Sequence, residues 1–189
     1  MIRCRWCNLN NELYIDYHDN EWGVVVNDDY KLFEMLLLES FQAGISWETI
    51  LNKREFFRES FDSFDFYKIS SYNYEKIEEL LLNKNIVRCR RKIEAVILNA
   101  KIFIKFREEW GSFSKYLWHF TNGEVIINTT DELPVNSELS DKISLDLKKR
   151  GMKYVGSTII YSYLQAVGVI NDHELKCYKS IVGGSYEKV

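Results

Sequence analysis

The sequence predicts an all-α protein, a compact helical globule, and three observations support this fold class. Apolar residues recur every three or four positions along several segments, which is the period of an amphipathic helix. The chain has only one proline and nine glycines among its 189 residues, fewer turn-forming residues than a loop-rich β-sandwich needs. Hydrophobic residues make up 46% of the chain and charged residues 28%, as in an ordinary globular protein.

Local signals set the bounds of the predicted helices. Ser46 and Asn73 each precede a periodic apolar segment, where their side chains can cap a helix N-terminus. Asp28 and Asp29 place negative charge at the start of an earlier helix, where it complements the helix dipole. In chain order, the predicted helices cover residues 30–41, 47–57, 74–82, 90–110, 112–120, 140–150 and 155–167.

The remaining segments set the expected organisation of the chain. Residues 124–136, which contain Pro134, are the least helical part and are predicted to form a short extended loop. We expect residues 1–177 to form one domain, or two closely packed lobes, and residues 178–189 to form a polar tail. No segment is apolar over the roughly 20 residues that a membrane helix needs, and Met1–Trp6 is not a signal region. A cytoplasmic monomer with reduced thiols and no membrane contact is therefore expected.

The charge distribution limits the kind of nucleic-acid contact that this chain can make. Its net charge is −3, which counts against a protein that coats DNA through a diffuse positive field. Cations nevertheless cluster at Arg88–Lys92 and at Lys148–Lys153. Each cluster taken alone is typical of a solvated helix face, but together they could contact a few phosphates.

The second cationic cluster lies in a segment typical of two helices joined by a short, glycine-bounded turn. Glycines permit close approach of a phosphate, which free amides at the start of the second helix can bind. The alternative is an ordinary αα-hairpin with its lysines in water. The candidate DNA-binding residues are Lys148, Lys149, Arg150, Gly151, Lys153 and Gly156.

Four possible metal ligands are divided between the two ends of the chain: Cys4 and His18 near the start, His173 and Cys177 near the end. The last two residues are one helical turn apart, so on a helix their side chains would share a face. Two thiolates with two imidazoles suit tetrahedral Zn²⁺, and four protein ligands mark a structural site. The alternatives are isolated buried residues, or a separate site in which Cys7 pairs with Cys4.

Three segments together resemble the bacterial 3-methyladenine DNA glycosylase I family. The first contains Y-H-D-x-E-W-G at residues 17–23, and the second contains Q-A-G-x-S-W at 42–47. The third extends from residue 148 to Cys177 and includes N-D-H at 171–173. The resemblance implies an all-α enzyme of the helix-hairpin-helix superfamily that excises N3-methyladenine from alkylated double-stranded DNA. It also implies that one zinc joins the termini through Cys4, His18, His173 and Cys177, with Cys7 outside the site.

The same resemblance assigns the residues of a base pocket. Glu39 and Tyr17 would hydrogen-bond the base, and Trp47 would stack on it. Trp6 and Tyr14 would form further walls of the pocket. Separately, Ile45 is a candidate wedge for the gap that a flipped nucleotide leaves in the duplex. Each of these residues has an ordinary alternative, such as a core position for the aromatic rings or an exposed helix flank for the glutamate.

The chemistry of the lesion explains why these residue types suit it. Methylation at N3 makes the adenine cationic, so the base leaves as a neutral molecule and recognition matters more than activation. Aromatic faces attract a cation, a carboxylate adds opposite charge, and the nucleotide must leave the stack to reach either. No lysine is assigned as a Schiff-base nucleophile, so no lyase step is expected. Asp172 is the nearest candidate to support the sugar cation, although supporting the metal beside His173 is its simpler role.

Two other functions stay open at this point. A zinc-stabilised nucleic-acid-binding module without chemistry would explain the hairpin and the cations but not the set of Glu39, Tyr17 and Trp47. A zinc hydrolase would require one of the four candidate ligands to be replaced by water.

Overall fold

A computed structural model describes residues 1–130 and 132–180 of the chain. In these residues the fold is mostly helical, with two 3₁₀ turns at Asp62–Phe64 and His119–Thr121 and one pair of short strands. The helices are α1 Glu12–Asn20, α2 Asp29–Gln42, α3 Trp47–Asn52, α4 Arg54–Ser60, α5 Phe66–Ser70, α6 Tyr74–Leu82, α7 Arg90–Trp110, α8 Phe113–Trp118, α9 Glu138–Lys149 and α10 Ser157–Ala166. None of these helices is both long and apolar enough to cross a bilayer.

Helix caps predicted from the sequence are confirmed by hydrogen bonds. The Ser46 hydroxyl accepts from the backbone of Thr49 at 3.2 Å and starts α3. The Asn73 side chain accepts from the backbone of Lys76 at 3.0 Å and starts α6. Helices α6 and α7 have the predicted bounds, because their apolar periodicity and end signals agree.

Several elements differ from the prediction. The expected helix 47–57 is broken at Lys53, whose backbone ends α3 and begins α4. Helices α1 and α5 were not predicted, and both are short and begin at a side-chain cap, Asn11 and Asp65 respectively. The expected loop 124–136 contains the strand β1, Ile126–Ile127, which pairs in parallel with β2, Ile170–Asn171.

Helix α2 lies in the centre of the molecule and packs against α7, α8 and α10. Its residues from Leu32 to Phe41 are all buried. A cluster of aromatic rings surrounds it: Phe103 of α7 contacts Phe33 at 5.1 Å and Phe113 at 4.2 Å between ring centroids. The central position of α2 matters for the site because a polar residue on this helix is held in a dry, rigid environment.

The two ends of the chain meet beside α10. The backbone of Tyr178 donates to Ile2 O at 2.9 Å, and the segment after α1 is hydrogen-bonded to the end of α10, with Gly23 N donating to Gln165 O at 3.0 Å. At Gly168 an added Cβ would lie 2.4 Å from the backbone of Val24, so this contact requires glycine. Residues 181–189, most of the predicted polar tail, lie outside the described residues.

Candidate active site and metal cluster

A cavity of about 310 Å³ opens between α1, α2, the start of α3 and α10. Its lining has three parts. One wall is aromatic, α10 provides a polar wall, and the loop before α9 provides an apolar rim. The aromatic wall and the residues at its base are Trp6, Tyr14, Tyr17, Trp22, Glu39, Gln42 and Trp47.

The aromatic wall brings together the rings that the sequence analysis assigned to a base pocket. The ring centroids of Tyr17 and Trp47 are 5.1 Å apart, and those of Trp6 and Tyr14 are 5.5 Å apart. Trp22, which was not assigned, packs edge-on against Trp6 at 4.8 Å. Aromatic rings that line a cavity together provide a surface on which a flat ligand can stack.

Glu39 is the acidic residue of the cavity and lies near the C-terminal end of α2. It is 3% exposed, and its Oε2 has no hydrogen-bond partner among the described residues. Burial raises the pKa of this carboxyl to about 8, because no cation nearby offsets the loss of water around the charge. Glu39 was expected to be ionised, whereas its burial favours the protonated form at neutral pH.

Two indole nitrogens beside the cavity, those of Trp6 and Trp47, are also buried and have no hydrogen-bond partner in the described part of the chain. An unsatisfied buried polar group costs roughly 1–3 kcal/mol. Tyr17 adds a phenol whose pKa burial raises well above its ordinary value, with the nearby Glu39 as a further cause. The pocket therefore presents donors and an acceptor that the protein itself leaves unpaired, which is typical of a ligand site.

The four candidate metal ligands converge at the other end of the aromatic wall. The ligand atoms of Cys4, His18, His173 and Cys177 all lie within 4.8 Å of one another, and all four residues are buried. Cys4 Sγ is 3.4 Å from His173 Nδ1, and Cys177 Sγ is 3.4 Å from His18 Nε2. The chain therefore brings two thiols and two imidazoles into one site that could hold a metal ion.

The second nitrogen of each imidazole is held by a partner outside the cluster. His18 Nδ1 lies 2.8 Å from Asp19 Oδ1, and His173 Nε2 lies 3.2 Å from Trp22 O. Burial lowers the pKa of His173 to about 4, so its ring is neutral and available as a ligand. These contacts orient both rings toward the cluster.

Two details of this region differ from the expectations, and a third, the position of Cys7, agrees with what the resemblance implies. His173 and Cys177 lie in a turn rather than on a helix, with Cys177 N donating to Glu174 O at 2.8 Å. Asp172 contacts side chains of the cavity wall and has no hydrogen bond to His173. Cys7 lies outside the cluster, 3.7 Å from Tyr14 O.

The second cationic cluster surrounds the connection between α9 and α10. Gly151 adopts a left-handed backbone (φ +98°) that turns the chain, and Gly156 begins α10 without a side-chain cap. Lys148, Lys149 and Lys153 are exposed. Arg150, in contrast, pairs with Glu109 and Asp146 and lies over the Phe106 ring at 4.4 Å.

The first cationic cluster has a different arrangement from the one expected. Lys92 is buried and donates to Phe41 O at 2.8 Å and to Ala43 O at 2.6 Å, at the C-terminal end of α2. Arg90 pairs with Glu78. Two of the five residues in this cluster are thus used in internal contacts.

Comparison with known proteins places these features in a family. The sequence pattern of the methyladenine glycosylase family matches residues 6–180. The chain belongs to that family. DNA-3-methyladenine glycosylase 1 of Escherichia coli (strain K12) is 44% identical over 180 residues, which cover 94% of this chain and 96% of the relative.

Solved structures agree with this assignment. A crystal structure of a 3-methyladenine DNA glycosylase I superposes with a TM-score of 0.91 at 44% identity, covering 95% of this chain and 100% of the other. A second crystal structure, of a variant of 3-methyladenine DNA glycosylase I in complex with 3-methyladenine, superposes with a TM-score of 0.90 at 33% identity. This second superposition covers 94% of this chain and 97% of the other.

Sequence reasoning missed part of the lining of the cavity. The α10 residues Thr158, Tyr161, Ser162 and Gln165 line it, as do Leu133, Pro134 and Val135. The spacing of the α10 residues, which places polar side chains on one face of an otherwise apolar helix, was a usable signal. Ile45 is half-buried against the core and is not part of the cavity lining.

Proposed function

We propose that this protein is a DNA glycosylase that hydrolytically excises N3-methyladenine from alkylated DNA and leaves an abasic site. The observation that carries the proposal is Glu39, a buried acid with an unpaired oxygen at the base of an aromatic cavity. Family membership and the relative crystallised with 3-methyladenine support the same substrate.

The charge on the lesion suits this pocket. A cationic purine that enters the cavity packs against the aromatic wall that contains Trp47 and Tyr17, where the negative ring faces attract it. Its positive charge lowers the pKa of Glu39 from about 8, so the acid ionises and forms an ion pair with the base. A neutral adenine provides no such charge, so binding it leaves the acid either protonated or unpaired.

Each pocket residue then has a specific role. Glu39 accepts from the exocyclic amine of the base, Tyr17 contributes its hydroxyl, and Trp47 stacks on the ring. Trp6 and Tyr14 close the side of the pocket. Ile45 lies in the turn before α3 and is the proposed wedge for the gap in the duplex.

The proposed occupant of the four-residue cluster is one structural Zn²⁺. Zinc bound at about 2.3 Å to sulfur and about 2.0 Å to nitrogen separates tetrahedral S and N ligands by about 3.5 Å. The S–N distances in the cluster are 3.4 Å for Cys4 to His173 and 3.6 Å for Cys177 to His173. The ion would join the two termini, and four protein ligands leave no position for a catalytic water.

The α9–α10 connection is the proposed DNA anchor, a helix-hairpin-helix motif. Gly156 leaves the N-terminus of α10 without a side-chain cap, so its amides are available to a phosphate. The exposed side chains of Lys148, Lys149 and Lys153 add charge, with Arg150 and Gly151 shaping the turn. Such contacts hold the backbone of double-stranded DNA without reading its sequence.

Two further parts of the proposal concern the type of reaction and the chain as a whole. Among the described residues that line the cavity there is no lysine, which supports hydrolysis without a lyase step. We further propose that residues 1–177 act as a single glycosylase domain, monomeric and cytoplasmic.

The proposal is tested by incubating the protein with methylated double-stranded DNA and measuring the bases released. N3-methyladenine is expected in the supernatant, with abasic sites in the DNA in equal amount. DNA binding without base release would instead indicate a binding module.

A further inference from the structure

The polar wall of the cavity is formed by α10. Thr158, Tyr161, Ser162 and Gln165 lie three or four residues apart on this helix and line the cavity. They face the aromatic wall across the site. The aromatic wall and Glu39 suit a base, so the polar wall is available for the rest of the nucleotide.

A buried carboxylate holds two of these side chains from behind. Asp172 Oδ2 accepts from the Tyr161 hydroxyl at 2.7 Å and from Gln165 Nε2 at 2.5 Å. Asp172 is 1% exposed and is not part of the cavity lining. Its contacts therefore engage the hydroxyl hydrogen of Tyr161 and one of the two amide hydrogens of Gln165.

These two bonds fix the polarity of the wall. The amide nitrogen Nε2 of Gln165 donates to Asp172. The carbonyl oxygen Oε1 of the same side chain, which lines the cavity, is therefore available as an acceptor. The Tyr161 hydroxyl likewise spends its only hydrogen on Asp172 and keeps its lone pairs. The wall thus offers two acceptor atoms, Gln165 Oε1 and the Tyr161 hydroxyl oxygen, which suit the hydrogens of a water molecule.

The course of α10 places the sugar beside this wall. On the proposed function, a phosphate binds at the N-terminus of α10 near Gly156, and the base lies against Trp47 and Glu39. The deoxyribose is bonded directly to the base, so it lies in or at the mouth of the same cavity, which α10 lines.

We propose that Gln165 positions the water that attacks the sugar, and that Asp172 and Tyr161 hold Gln165 in the acceptor orientation. This inference rests on the proposed function. The water oxygen forms a bond to C1′ as the bond from C1′ to the base nitrogen breaks, and the bonding pair leaves with the base, which becomes neutral. One water proton then passes to solvent at the mouth of the cavity. Gln165 orients the water and does not take the proton, because an amide is too weak a base.

The test compares excision with base binding in Gln165→Met, which keeps the side-chain length and removes the acceptor. The single-turnover rate of N3-methyladenine release should fall about tenfold or more, as expected for losing one transition-state hydrogen bond. The affinity for free 3-methyladenine, measured by tryptophan fluorescence, should stay within about twofold. Equal losses in both measurements, or an unchanged rate, would overturn the proposal.

Asp172→Asn and Tyr161→Phe test the supporting contacts. Both should slow excision without changing the metal content, and both should raise the share of methyl glycoside formed when methanol is added, because the water is less well held. A change in metal content with no change in this product ratio would contradict the positioning role. Tyr163→Phe is the matched control, because this α10 tyrosine is buried outside the cavity lining and its hydroxyl has no hydrogen-bond partner among the residues that the structure describes.

The two levels of the proposal fail separately. If the unaltered protein releases no base, the proposed function is wrong. If it releases base and the Gln165 variant does so at the same rate, only the water-positioning role is wrong.

Discussion

The metal cluster and the base pocket are two buried polar sites that share Trp6 and Trp22, and they differ in how their polar atoms are satisfied. The Trp6 ring lies 5.2 Å from His18 of the cluster and 5.5 Å from Tyr14 of the pocket. In the cluster, each imidazole is held by a second partner, Asp19 or the backbone of Trp22. In the pocket, Glu39 Oε2 and the Trp6 indole nitrogen have no hydrogen-bond partner within residues 1–130 and 132–180.

This difference indicates what each site is for. Four ligand atoms that face one point, with their rings oriented from behind, suit an ion that stays in place and stabilises the fold. Polar atoms that remain unpaired in a dry cavity raise the free energy of the empty protein, and a ligand that pairs with them recovers it. The cluster is therefore expected to control stability, and the pocket is expected to control activity at some cost in stability.

The largest expected effect is on stability, from a change in the cluster. Cys177→Ser, or chelation of the metal, should lower the free energy of unfolding on the order of 5 kcal/mol, because metal binding contributes directly to folding. Urea denaturation with parallel metal analysis measures this. If the variant loses the metal but unfolds at the same urea concentration as the unaltered protein, the cluster does not control stability.

The next effect is a gain in stability from a change in the pocket. Burial raises the pKa of Glu39 from 4.5 to about 8, so between these values the native protein binds a proton that the unfolded chain has released. The free energy of unfolding should therefore fall as the pH rises from 4.5 to 8, by about 1.4 kcal/mol per pH unit at most.

Glu39→Gln removes this titration. The variant should be more stable than the unaltered protein by a few kcal/mol at pH 8 and no more stable at pH 4. Denaturation curves at a series of pH values provide the check. If the free energies of unfolding of the two proteins change with pH in the same way, Glu39 is either exposed or paired with a cation.

A smaller effect is expected on DNA affinity. The double change Lys148→Met and Lys149→Met should reduce the salt dependence of DNA binding by about two units of slope, because two phosphate contacts are lost. Binding of free 3-methyladenine should not change. Lys142→Met, another exposed lysine on α9, is the control, and an equal effect there would argue against a localised anchor.

The smallest effect is expected at Cys7, the cysteine that the cluster excludes. Its thiol donates to the backbone oxygen of Tyr14 at 3.7 Å. Cys7→Ser should lower the free energy of unfolding by about 1 kcal/mol or less and leave the metal content unchanged. Loss of metal in this variant would place Cys7 among the ligands.

Where local signals decide the structure, the sequence predicted the fold well. Helix α6 was predicted in full because the Asn73 cap and the apolar period agree. Helix α1 was missed because it is mostly polar and buries only Tyr17 and His18. The strand pair was missed because its two members are two residues each and lie far apart in the chain.

The parts of the site that were predicted are mostly those whose residues belong to the sequence motifs shared with the family. The cluster ligands and the rings of Tyr17 and Trp47 meet as expected. The pairing of Asp172 with Tyr161 and Gln165 depends on how α10 packs against the segment after it. Lys92 is likewise buried at the end of α2 through a tertiary contact. Neither this burial nor the pairing of Asp172 has a local signal in the sequence.

The most direct test of the account is the rate of N3-methyladenine release by Glu39→Gln compared with the unaltered protein, on the same methylated DNA. Losing one charged hydrogen bond to the base should slow release about 10- to 100-fold, while the variant stays folded and keeps its metal. Release at the unaltered rate would contradict the claim that a buried acid recognises the cationic base.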